Sequence, residues 1–593
     1  MIPRNEYPRP QFVRSEWLCL NGEWQFEIDR GDSGLERGLN ERTLNDKIIV
    51  PFCPESTLSG IGDTDFLNAV WYRREIIIPE AWSGMRTILH FQAVDYDTTV
   101  WVNGTEVMRH RGGFTPFSCD LSDVAISGET AVIVVRARDL KEMIKPSGKQ
   151  SKEYENRGCL YTRTTGIWQT VWLEPVPEVY LKRPRITPDL GNKCFHIEQP
   201  FNMNKTGYML KAKLSYQNNT VSEITVPADS DLSARAVLPV NEYCLHLWEP
   251  GKPELYDLSL ELLDSTEKVI DAAISYCGMR SLTIEGKKFM INGKPLFQRQ
   301  VLDQGYYADG IMTAPSDADL IKDIELSMAA GFNSARLHQK VFEERFLYHA
   351  DRLGYAVWGE FGDWGLREQN LGSCDIFDNQ PFATMITQWL EVLERDYSHP
   401  CIIGWCGLNE TRQDITDKIQ ALDDLTRGVY LAAKAMDTSR PVLDASGYCH
   451  RFIGADIYDC HDYEQDPEKM KYNQDGLRNG EPYQNSPKWN VPYKGQPFFV
   501  SEFGGIKWNP SFTDSKDSWG YGNTPKSLEE FYTRFEDLCN VLLNNPDMFG
   551  YCYTQLTDVF QEQNGIYFFD RKPKFDNDRL KKIQSRKAAC EIG

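Results

Sequence analysis

Three glutamates, each at the end of a short apolar stretch, are the residues of this sequence best placed to do chemistry. Glu410 ends "IIGWCGLNE", Glu502 ends "FFVSE" and Glu360 ends "YAVWGE". A carboxylate in apolar surroundings is unfavourable unless it is paired, hydrogen-bonded or protonated. Catalysis is one function that offsets such a cost, and it commonly uses two carboxylates together. We therefore interpret Glu410 and Glu502 as a candidate catalytic pair.

Two carboxylates that flank one bond are suited to the hydrolysis of a glycoside. One attacks the anomeric carbon, and the other protonates the leaving oxygen and then activates water. A separation of about 5–5.5 Å gives retention of configuration, and about 6.5–9.5 Å gives inversion. The acid must remain protonated near neutral pH, which the apolar stretch before Glu410 favours. The nucleophile must remain ionised, and Arg336 and Tyr463 are candidate hydrogen-bond donors to it.

A parallel barrel would bring these strand ends together. After about residue 281, short apolar strands alternate with amphipathic helices, and we count eight candidate strands. The first four are "LFQRQVL", "FNSAR", "YAVWGEF" and "IIGWCGL". This pattern is typical of a (β/α)8 barrel, whose active site lies at the C-terminal ends of its strands. No clear helix separates the sixth and seventh strands, and residues 464–495 are predicted to form a long loop.

The residues before the barrel are predicted to form two β-domains. Residues 1–180 contain many alternating strands separated by polar turns, which is typical of a β-sandwich or jelly roll. Residues 181–280 form a second all-β unit whose length suits an immunoglobulin-like sandwich. The predicted domains are therefore 1–180, 181–280 and 281–593.

The composition argues against nucleic acid and membranes as partners. The 593 residues carry a net charge of −21, whereas both partners require a basic face. No apolar run is long enough to span a membrane, and the N-terminus lacks the apolar core of a signal peptide. The 15 cysteines have no CxxC spacing, which is typical of free thiols in a reducing compartment. We expect a cytoplasmic protein.

The order of these segments resembles glycoside hydrolase family 2, which includes β-galactosidases, β-glucuronidases and β-mannosidases. The resemblance rests on "VPFCPES", "HRGGFTPF" and "TGIWQTVWLE", on "LWEPGKPELYDLSLEL", and on "GFNSARLH", "HPCIIGWCGLNE" and "VSEFGG". It implies a jelly-roll sugar-binding domain, an immunoglobulin-like domain and a catalytic TIM barrel. It also implies that Glu410 is the acid/base, Glu502 the nucleophile and Asn409 a ligand of the sugar 2-hydroxyl. By analogy, a homo-oligomer (dimer or tetramer) is expected.

Other residues at the predicted strand ends are candidates for substrate binding. Arg336 is expected to orient Glu502, and His338 to contact the sugar; a structural ion pair at the rim is the alternative for both. Tyr463 is a candidate donor to the nucleophile, beside other tyrosines nearby in the sequence. No tight cluster of His, Asp and Glu is evident, so no metal ion or other cofactor is predicted. Residues that either line the pocket or pack at its rim are Asp303, Trp364 and Trp508.

The residues of the loop after the last strand indicate which sugar is the substrate. In the glucuronidase branch of the family, an Asn-x-Lys motif there binds the substrate carboxylate. The matching residues here are Glu562, Gln563 and Asn564. The lysine is missing, and Glu562 would repel a uronate by about 1 kcal/mol in water at 4 Å. Gln555, Asp558 and Glu562 would instead hydrogen-bond neutral hydroxyls.

We therefore expect a retaining, exo-acting β-glycosidase that is β-galactosidase-like and disfavours glucuronides. An exo-glycosidase that cleaves arabinosides, galactofuranosides or another neutral sugar remains open. A carbohydrate-binding protein without catalytic activity is the alternative of another class. Hydrolysis of a panel of glycosides would separate these possibilities.

Overall fold

Two antiparallel sheets face each other in the first domain of the computed structural model, which describes residues 2–367, 381–509 and 518–592. The strands are β1 (Leu18–Cys19), β2 (Gly22–Ile28), β3 (Asp46–Val50), β4 (Ala69–Ile77), β5 (Arg86–Phe91), β6 (Val94–Asp95), β7 (Asp97–Val102), β8 (Thr105–Arg111), β9 (Phe117–Asp120), β10 (Thr130–Arg138), β11 (Gly166–Ile167) and β12 (Val171–Val176). One sheet has the order β1-β12-β5-β9 and the other β3-β2-β4-β10-β7-β8. Inward-facing residues of both sheets, such as Trp24 and Leu173, share one apolar core, so the predicted sandwich is confirmed.

The second domain is a smaller sandwich. Its strands are β13 (Arg185–Asp189), β14 (Cys194–Pro200), β15 (Met209–Tyr216), β16 (Asn219–Pro227), β17 (Ser233–Pro239), β18 (Tyr256–Leu263) and β19 (Val269–Cys277). They form sheets of order β13-β14-β17 and β16-β15-β18-β19 around a shared core that includes Phe195 and Leu258. A short ribbon then leads into the barrel: β20 (Leu282–Glu285), β21 (Lys288–Ile291) and β22 (Lys294–Pro295).

The third domain is a barrel of parallel strands. These are β23 (Gln298–Asp303), β24 (Ser334–Leu337), β25 (Ala356–Glu360), β26 (Ile402–Cys406), β27 (Val442–Leu443), β28 (Tyr458–Asp462), β29 (Phe498–Gly504) and β30 (Met548–Thr554). Among the described residues, the eight strands have the order β27-β26-β25-β24-β23-β30-β29-β28. The strands β27 and β28 stand at the two ends of this order, so the barrel is nearly closed. All eight predicted strands are present, and the predicted TIM barrel is confirmed.

Helices cover the outside of the barrel. They are α1 (Asp317–Ala329), α2 (Glu344–Leu353), α3 (Phe382–Asp396), α4 (Ala421–Met436), α5 (Pro467–Asp475), α6 (Leu528–Leu543) and α7 (Asn577–Gln584). Local sequence sets their ends: Ser527 accepts a hydrogen bond from the N–H of Glu530 at the start of α6, and Gly331 adopts a positive φ just after α1. In the described part of the chain, no helix is both long and apolar enough to cross a membrane.

The prediction of a long loop at residues 464–495 is wrong in part, because α5 lies within it. Asp466 caps this helix by accepting hydrogen bonds from the N–H groups of Glu468 and Lys469, and Pro467 occupies its first turn. Only Met470 and Gln474 of α5 are buried. The helix therefore lacks the apolar stripe by which a helix is recognised in a sequence.

Close packing inside the barrel explains the glycines of "GWCG" and "VWGE". A Cβ atom on Gly404 would lie 2.6 Å from the ring of Trp358, and one on Gly359 would lie 2.5 Å from the ring of Trp405. Each glycine thus accommodates a tryptophan from the neighbouring strand. Because the barrel is filled in this way, access to chemistry is left to the ends of the strands.

A buried carboxylate, Asp351 on α2, ties the second domain to the barrel. It accepts a hydrogen bond of 2.7 Å from the hydroxyl of Tyr276 on β19. It also accepts hydrogen bonds from the backbone N–H of Cys401 at 2.7 Å and from Nδ1 of His399 at 2.6 Å. These contacts lie at the start of β26, at the opposite end of the barrel from Glu410.

Replacing Asp351 is expected to destabilise the protein without changing its chemistry. Asp351→Ala leaves buried donors without an acceptor, at about 1–3 kcal/mol for each orphaned group. The temperature of thermal unfolding should fall, while the activity of the folded enzyme at 25 °C is retained. Asp424→Ala, at an exposed position on α4, is the matched control and should unfold like the parent protein. Equal unfolding temperatures for the two variants would contradict this role.

Candidate active site

Glu410 and Glu502 lie side by side at the carboxyl end of the barrel. Glu502 is within β29, and Glu410 follows the end of β26. One carboxylate oxygen of each glutamate and one ring nitrogen of His461 lie within 4.8 Å of one another. This close approach is compatible with the separation of about 5–5.5 Å between the carboxyl groups of retaining glycosidases.

The backbone at Glu410 is held in an uncommon conformation. Its φ is +53°, in the left-handed region that residues other than glycine seldom occupy. The N–H of Glu410 donates to the carbonyl of Ser446 at 2.9 Å, and Asn409 pairs with Ser446 in a parallel bridge. These contacts stabilise the turn and leave the Glu410 side chain 14% exposed beside the cleft.

Arg336, at the end of β24, connects the nucleophile to its surroundings. The guanidinium is fully buried, and its Nη1 donates to Oε1 of Glu502 at 3.2 Å. Its Nη2 donates to Oδ1 of Asn409 at 2.6 Å, and its Nε donates to Oε2 of Glu360 at 2.7 Å. The predicted contact between Arg336 and Glu502 is thus present. A planar fork of donors can serve three acceptors from three strands at once.

Glu360 acts as a counter-ion in this arrangement. Burial alone would raise its pKa, but the charges of Arg336 and His338 lower that pKa to about 2. Nδ1 of His338 lies 3.0 Å from Oε1 of Glu360, and burial lowers the pKa of His338. Glu360 therefore remains ionised and balances the charge of Arg336.

Tyr463 supplies the second donor to the nucleophile. Its hydroxyl donates to Oε2 of Glu502 at 2.5 Å. The ring of Tyr463 stacks on that of Tyr521 with the centroids 3.5 Å apart, so its orientation is fixed. Both oxygens of Glu502 are thus hydrogen-bonded, so the carboxylate is held in one orientation.

His461, on β28, is a residue of the site that sequence reasoning missed. Its Nδ1 lies 2.8 Å from Oε1 of Glu410 and 3.4 Å from Oε2 of Glu502. The signal was present in "CHDYE", because His461 lies near the end of β28, two residues before Tyr463.

The titration of Glu410 and His461 is coupled through their hydrogen bond. Burial would raise the pKa of Glu410, but the hydrogen bond and charge of His461, with Arg367 and Lys149, lower it to about 2. Burial would lower the pKa of His461, but the charge of Glu502 and the hydrogen bond to Glu410 outweigh it, and this pKa is raised. The hydrogen bond therefore couples the protonation of the two groups, and a proton on the pair favours the imidazole over the carboxylate.

Asn409 and Trp364 form one side of the cleft. The indole Nε1 of Trp364 donates to the carbonyl of Asn409 at 3.0 Å, and Arg367 donates to the same carbonyl. Within the described residues, Nδ2 of Asn409 is buried and has no hydrogen-bond acceptor. A free amide N–H at this position suits a substrate hydroxyl, as the family resemblance implies.

Asp303 and Asp558 are engaged in structural contacts and are not brought to the catalytic pair. Asp303 accepts a hydrogen bond of 2.9 Å from the N–H of Gly305, and burial and the charge of Asp323 raise its pKa to about 7. Asp558 pairs with Lys574 at 2.5 Å and accepts a hydrogen bond from the N–H of Gly565. Their carboxylates support the barrel rim, so the predicted sugar contacts are not supported by the geometry.

Gln555, Glu562 and Trp508 surround the loop after β30. Both ends of the Gln555 amide are bonded within the protein, to Gln304 at 2.8 Å and to Asn564 at 2.9 Å. Glu562 accepts hydrogen bonds from the hydroxyl of Tyr161 and from Nδ2 of Asn564. The backbone N–H of Trp508 donates to the carbonyl of Gln563, and its side chain is partly exposed. Gln555 thus fixes the loop after β30 by two hydrogen bonds. Glu562 connects the same loop to the first domain through Tyr161.

Open space adjoins the catalytic pair. A cavity of about 980 Å³ is lined by Tyr448, His461, Tyr463 and Tyr521, among others. Sugar rings commonly lie against aromatic side chains, and a cavity of this size accommodates a glycoside. The cavity therefore lies beside His461 and Tyr463, which hydrogen-bond to Glu410 and Glu502.

Some side chains have a geometry that could hold a metal ion. In the group formed by Glu410, His461 and Glu502, the two glutamates already accept hydrogen bonds from Arg336, Tyr463 and His461. The protein itself therefore balances the charge of these carboxylates. The expectation that no metal ion is used stays a prediction. Within the described ranges, the groups are Asp189, Cys194 and His196; Asp351, His399 and Cys401; and Glu410, His461 and Glu502.

Several known proteins are similar to this chain in sequence. β-Glucuronidase from Paenibacillus borealis is 26% identical over 459 residues, covering 74% of each chain. β-Glucuronidase from Sus scrofa is 25% identical over 477 residues, covering 73% of this chain and 69% of that protein. Both relatives thus span the larger part of the chain.

Solved structures share the fold over nearly the whole chain. A β-D-glucuronidase from Dictyoglomus thermophilum superimposes with a TM-score of 0.76 at 22% identity, covering 98% of each chain. The β-glucuronidase from Ruminococcus gnavus gives a TM-score of 0.80 at 19% identity, covering 99% of each chain. At these identities the likeness establishes the architecture.

Family models match all three domains in the expected order. The sugar-binding domain of the family 2 glycosyl hydrolases matches residues 62–173, and the general family 2 model matches residues 179–280. The family 2 TIM-barrel domain matches residues 282–588, which is more than half of the chain. The chain therefore belongs to glycoside hydrolase family 2, and it is a glycoside hydrolase that acts on carbohydrate.

Proposed function

We propose that this enzyme is a retaining, exo-acting β-glycosidase and that its substrates are β-D-glucuronides. The observation that carries the proposal is the catalytic pair, in which Glu410 and Glu502 approach within 4.8 Å. The choice of sugar is supported by the similar proteins and structures, which are named β-glucuronidases.

The prediction of a β-galactosidase-like enzyme that disfavours glucuronides is therefore wrong. It treated Glu562 as a full negative charge and considered only the loop after β30 as a source of cations. Glu562 is 2% exposed and hydrogen-bonded by Tyr161, and burial raises its pKa. Its charged form is thus less favoured than that of an exposed glutamate, and the repulsion was overstated.

In the first step, a carboxylate oxygen of Glu502 attacks the anomeric carbon as the bond to the leaving oxygen breaks. Arg336 and Tyr463 orient the nucleophile by one hydrogen bond to each of its oxygens. Glu410 gives a proton to the leaving oxygen, so the aglycone departs as a neutral alcohol. The product is a covalent glycosyl ester of Glu502 with inverted configuration.

In the second step, water replaces the ester. Glu410, now ionised, removes a proton from the water as its oxygen attacks the anomeric carbon. The bond to Glu502 breaks, and the second inversion restores the β configuration. The proton taken from water restores the single proton that Glu410 shares with His461 through their hydrogen bond, so the pair begins each cycle in the same state.

A panel of p-nitrophenyl glycosides tests the sugar. The β-D-glucuronide is expected to have the highest kcat/KM, at least about tenfold above the β-galactoside and β-glucoside, or about 1.4 kcal/mol in transition-state binding. Arabinoside, galactofuranoside and mannoside complete the panel. A neutral sugar as the preferred substrate would contradict the proposed specificity but not the two-glutamate mechanism. Hydrolysis of none of them would indicate a binding protein.

Azide rescue tests the roles of the two glutamates. Glu502→Ala should lose nearly all activity, and Glu410→Ala should lose about 10²–10⁴-fold on glycosides with poor leaving groups. On a nitrophenyl glycoside, azide should restore turnover of Glu410→Ala and yield a β-glycosyl azide, because azide attacks without a base. Glu468→Ala on the outer helix α5 is the control. A β-azide from Glu502→Ala but not from Glu410→Ala would reverse the assignment.

The pH profile tests the proton carried by His461 and Glu410. Because the pKa of His461 is raised above 6.5, the pair loses its proton as pH rises through that higher value. The alkaline limb of kcat/KM should therefore lie above pH 6.5 for a poor leaving group. In His461→Asn, the limb should move to lower pH, since Glu410 alone then holds the proton. An unmoved limb would show that His461 does not hold the proton of the pair.

A further inference from the structure

We propose that Lys149, in the first domain, binds the carboxylate of a uronate substrate in place of the lysine that the loop after β30 lacks. The inference rests on the proposed function, because it assigns a residue to the specificity of that same site. It concerns a side chain from a different domain than the catalytic pair.

Lys149 is a buried cation without an anionic contact. The residue is 5% exposed, and among the residues that the structure describes its ammonium forms no hydrogen bond and no ion pair. Its neighbours are two aromatic rings: Nζ lies 5.1 Å from the centroid of Trp364 and 5.6 Å from that of Tyr161. A lysine ammonium has three donors, and a buried one is normally paired. The unused donors are thus available to a ligand.

The ammonium lies within the active site. Its charge acts on Glu562, on the acid/base Glu410 and on His338, although none of them forms an ion pair with it. Trp364 and Tyr161, the rings beside it, are bonded to Asn409 and Glu562 respectively. Lys149 is therefore close enough to meet a sugar bound at the pair and does not itself engage the catalytic carboxylates.

The backbone that carries Lys149 is fixed on the barrel. The carbonyl of Lys149 accepts a hydrogen bond of 2.7 Å from the N–H of Tyr161, and the carbonyl of Ser147 accepts one of 3.0 Å from the N–H of Gly365. A Cβ atom on Gly148 would lie 1.8 Å from the carbonyl oxygen of Gln339, so only glycine permits this approach. The side chain is thus presented from a rigid position, as anion recognition requires.

The position also accounts for Glu562. A buried glutamate near Lys149 partly balances the ammonium when no substrate is bound, without occupying its donors. Tyr161, Asn564 and burial restrain Glu562, so it does not move to form the ion pair. A substrate carboxylate can then complete the site by direct hydrogen bonds, which are stronger when both groups are charged.

The decisive experiment compares substrates that differ only at C6. For Lys149→Met, kcat/KM for p-nitrophenyl β-D-glucuronide should fall by at least about tenfold, or 1.4 kcal/mol, while that for the β-D-glucoside is nearly unchanged. Lys149→Arg should recover part of the loss, because it restores the charge. Lys152→Met, three residues further along the same segment, is the matched control. Equal losses on both substrates, or an unchanged ratio, would overturn the proposal.

Ligand binding separates failure of this inference from failure of the proposed function. Calorimetry with D-glucaro-1,5-lactone, which has the carboxylate, and D-glucono-1,5-lactone, which lacks it, requires no turnover. Lys149→Met should weaken only the first, by at least about tenfold. If the parent enzyme prefers neutral glycosides but this difference is found, the proposed function fails and the role of Lys149 stands. If the difference is absent, the role of Lys149 is refuted. Lys149→Gln replaces the Met variant if the latter unfolds at a lower temperature than the parent.

Discussion

The guanidinium of Arg336 is the interaction on which the active site depends. It is fully buried and joins the ends of β24, β25 and β29 to the turn after β26 through Glu360, Glu502 and Asn409. A buried cation of this kind is tolerated only when its donors are satisfied. The same hydrogen bonds therefore meet two requirements: they compensate the charge of Arg336, and they fix Glu502 and the side-chain amide of Asn409 relative to one another.

The proximity of Glu410 and Glu502 could be predicted because its signal is local. An apolar strand that ends in a carboxylate is unusual, and a TIM barrel brings its strand ends together, so Glu410 and Glu502 followed from pattern and fold. The strands themselves were predictable for a similar reason, since each is a short apolar run between polar segments. The helix α5 was not, because its capping by Asp466 is its main signal and its buried face is small.

The surroundings of the carboxylates could not be predicted, because they depend on contacts between distant segments. Asp558 was interpreted as a sugar ligand, but Lys574 takes its carboxylate. Glu562 was interpreted as an unpaired negative charge, but it accepts a hydrogen bond from Tyr161, which comes from the first domain. His461 lies on a predicted strand, yet its hydrogen bond to Glu410 forms only because the barrel brings β28 close to the turn after β26. The substrate predicted from the loop after β30 alone was wrong for this reason.

The hydrogen bond between Tyr161 and Glu562 has a consequence for how the enzyme can change. It joins the first domain to the loop after β30, whereas Glu410 and Glu502 belong to the barrel. Selection on the sandwich can thus alter which glycoside is accepted while the bond-breaking machinery stays intact. Such a division lets relatives with the same chemistry differ in substrate preference. It also explains why a sequence motif confined to the barrel does not by itself predict the substrate.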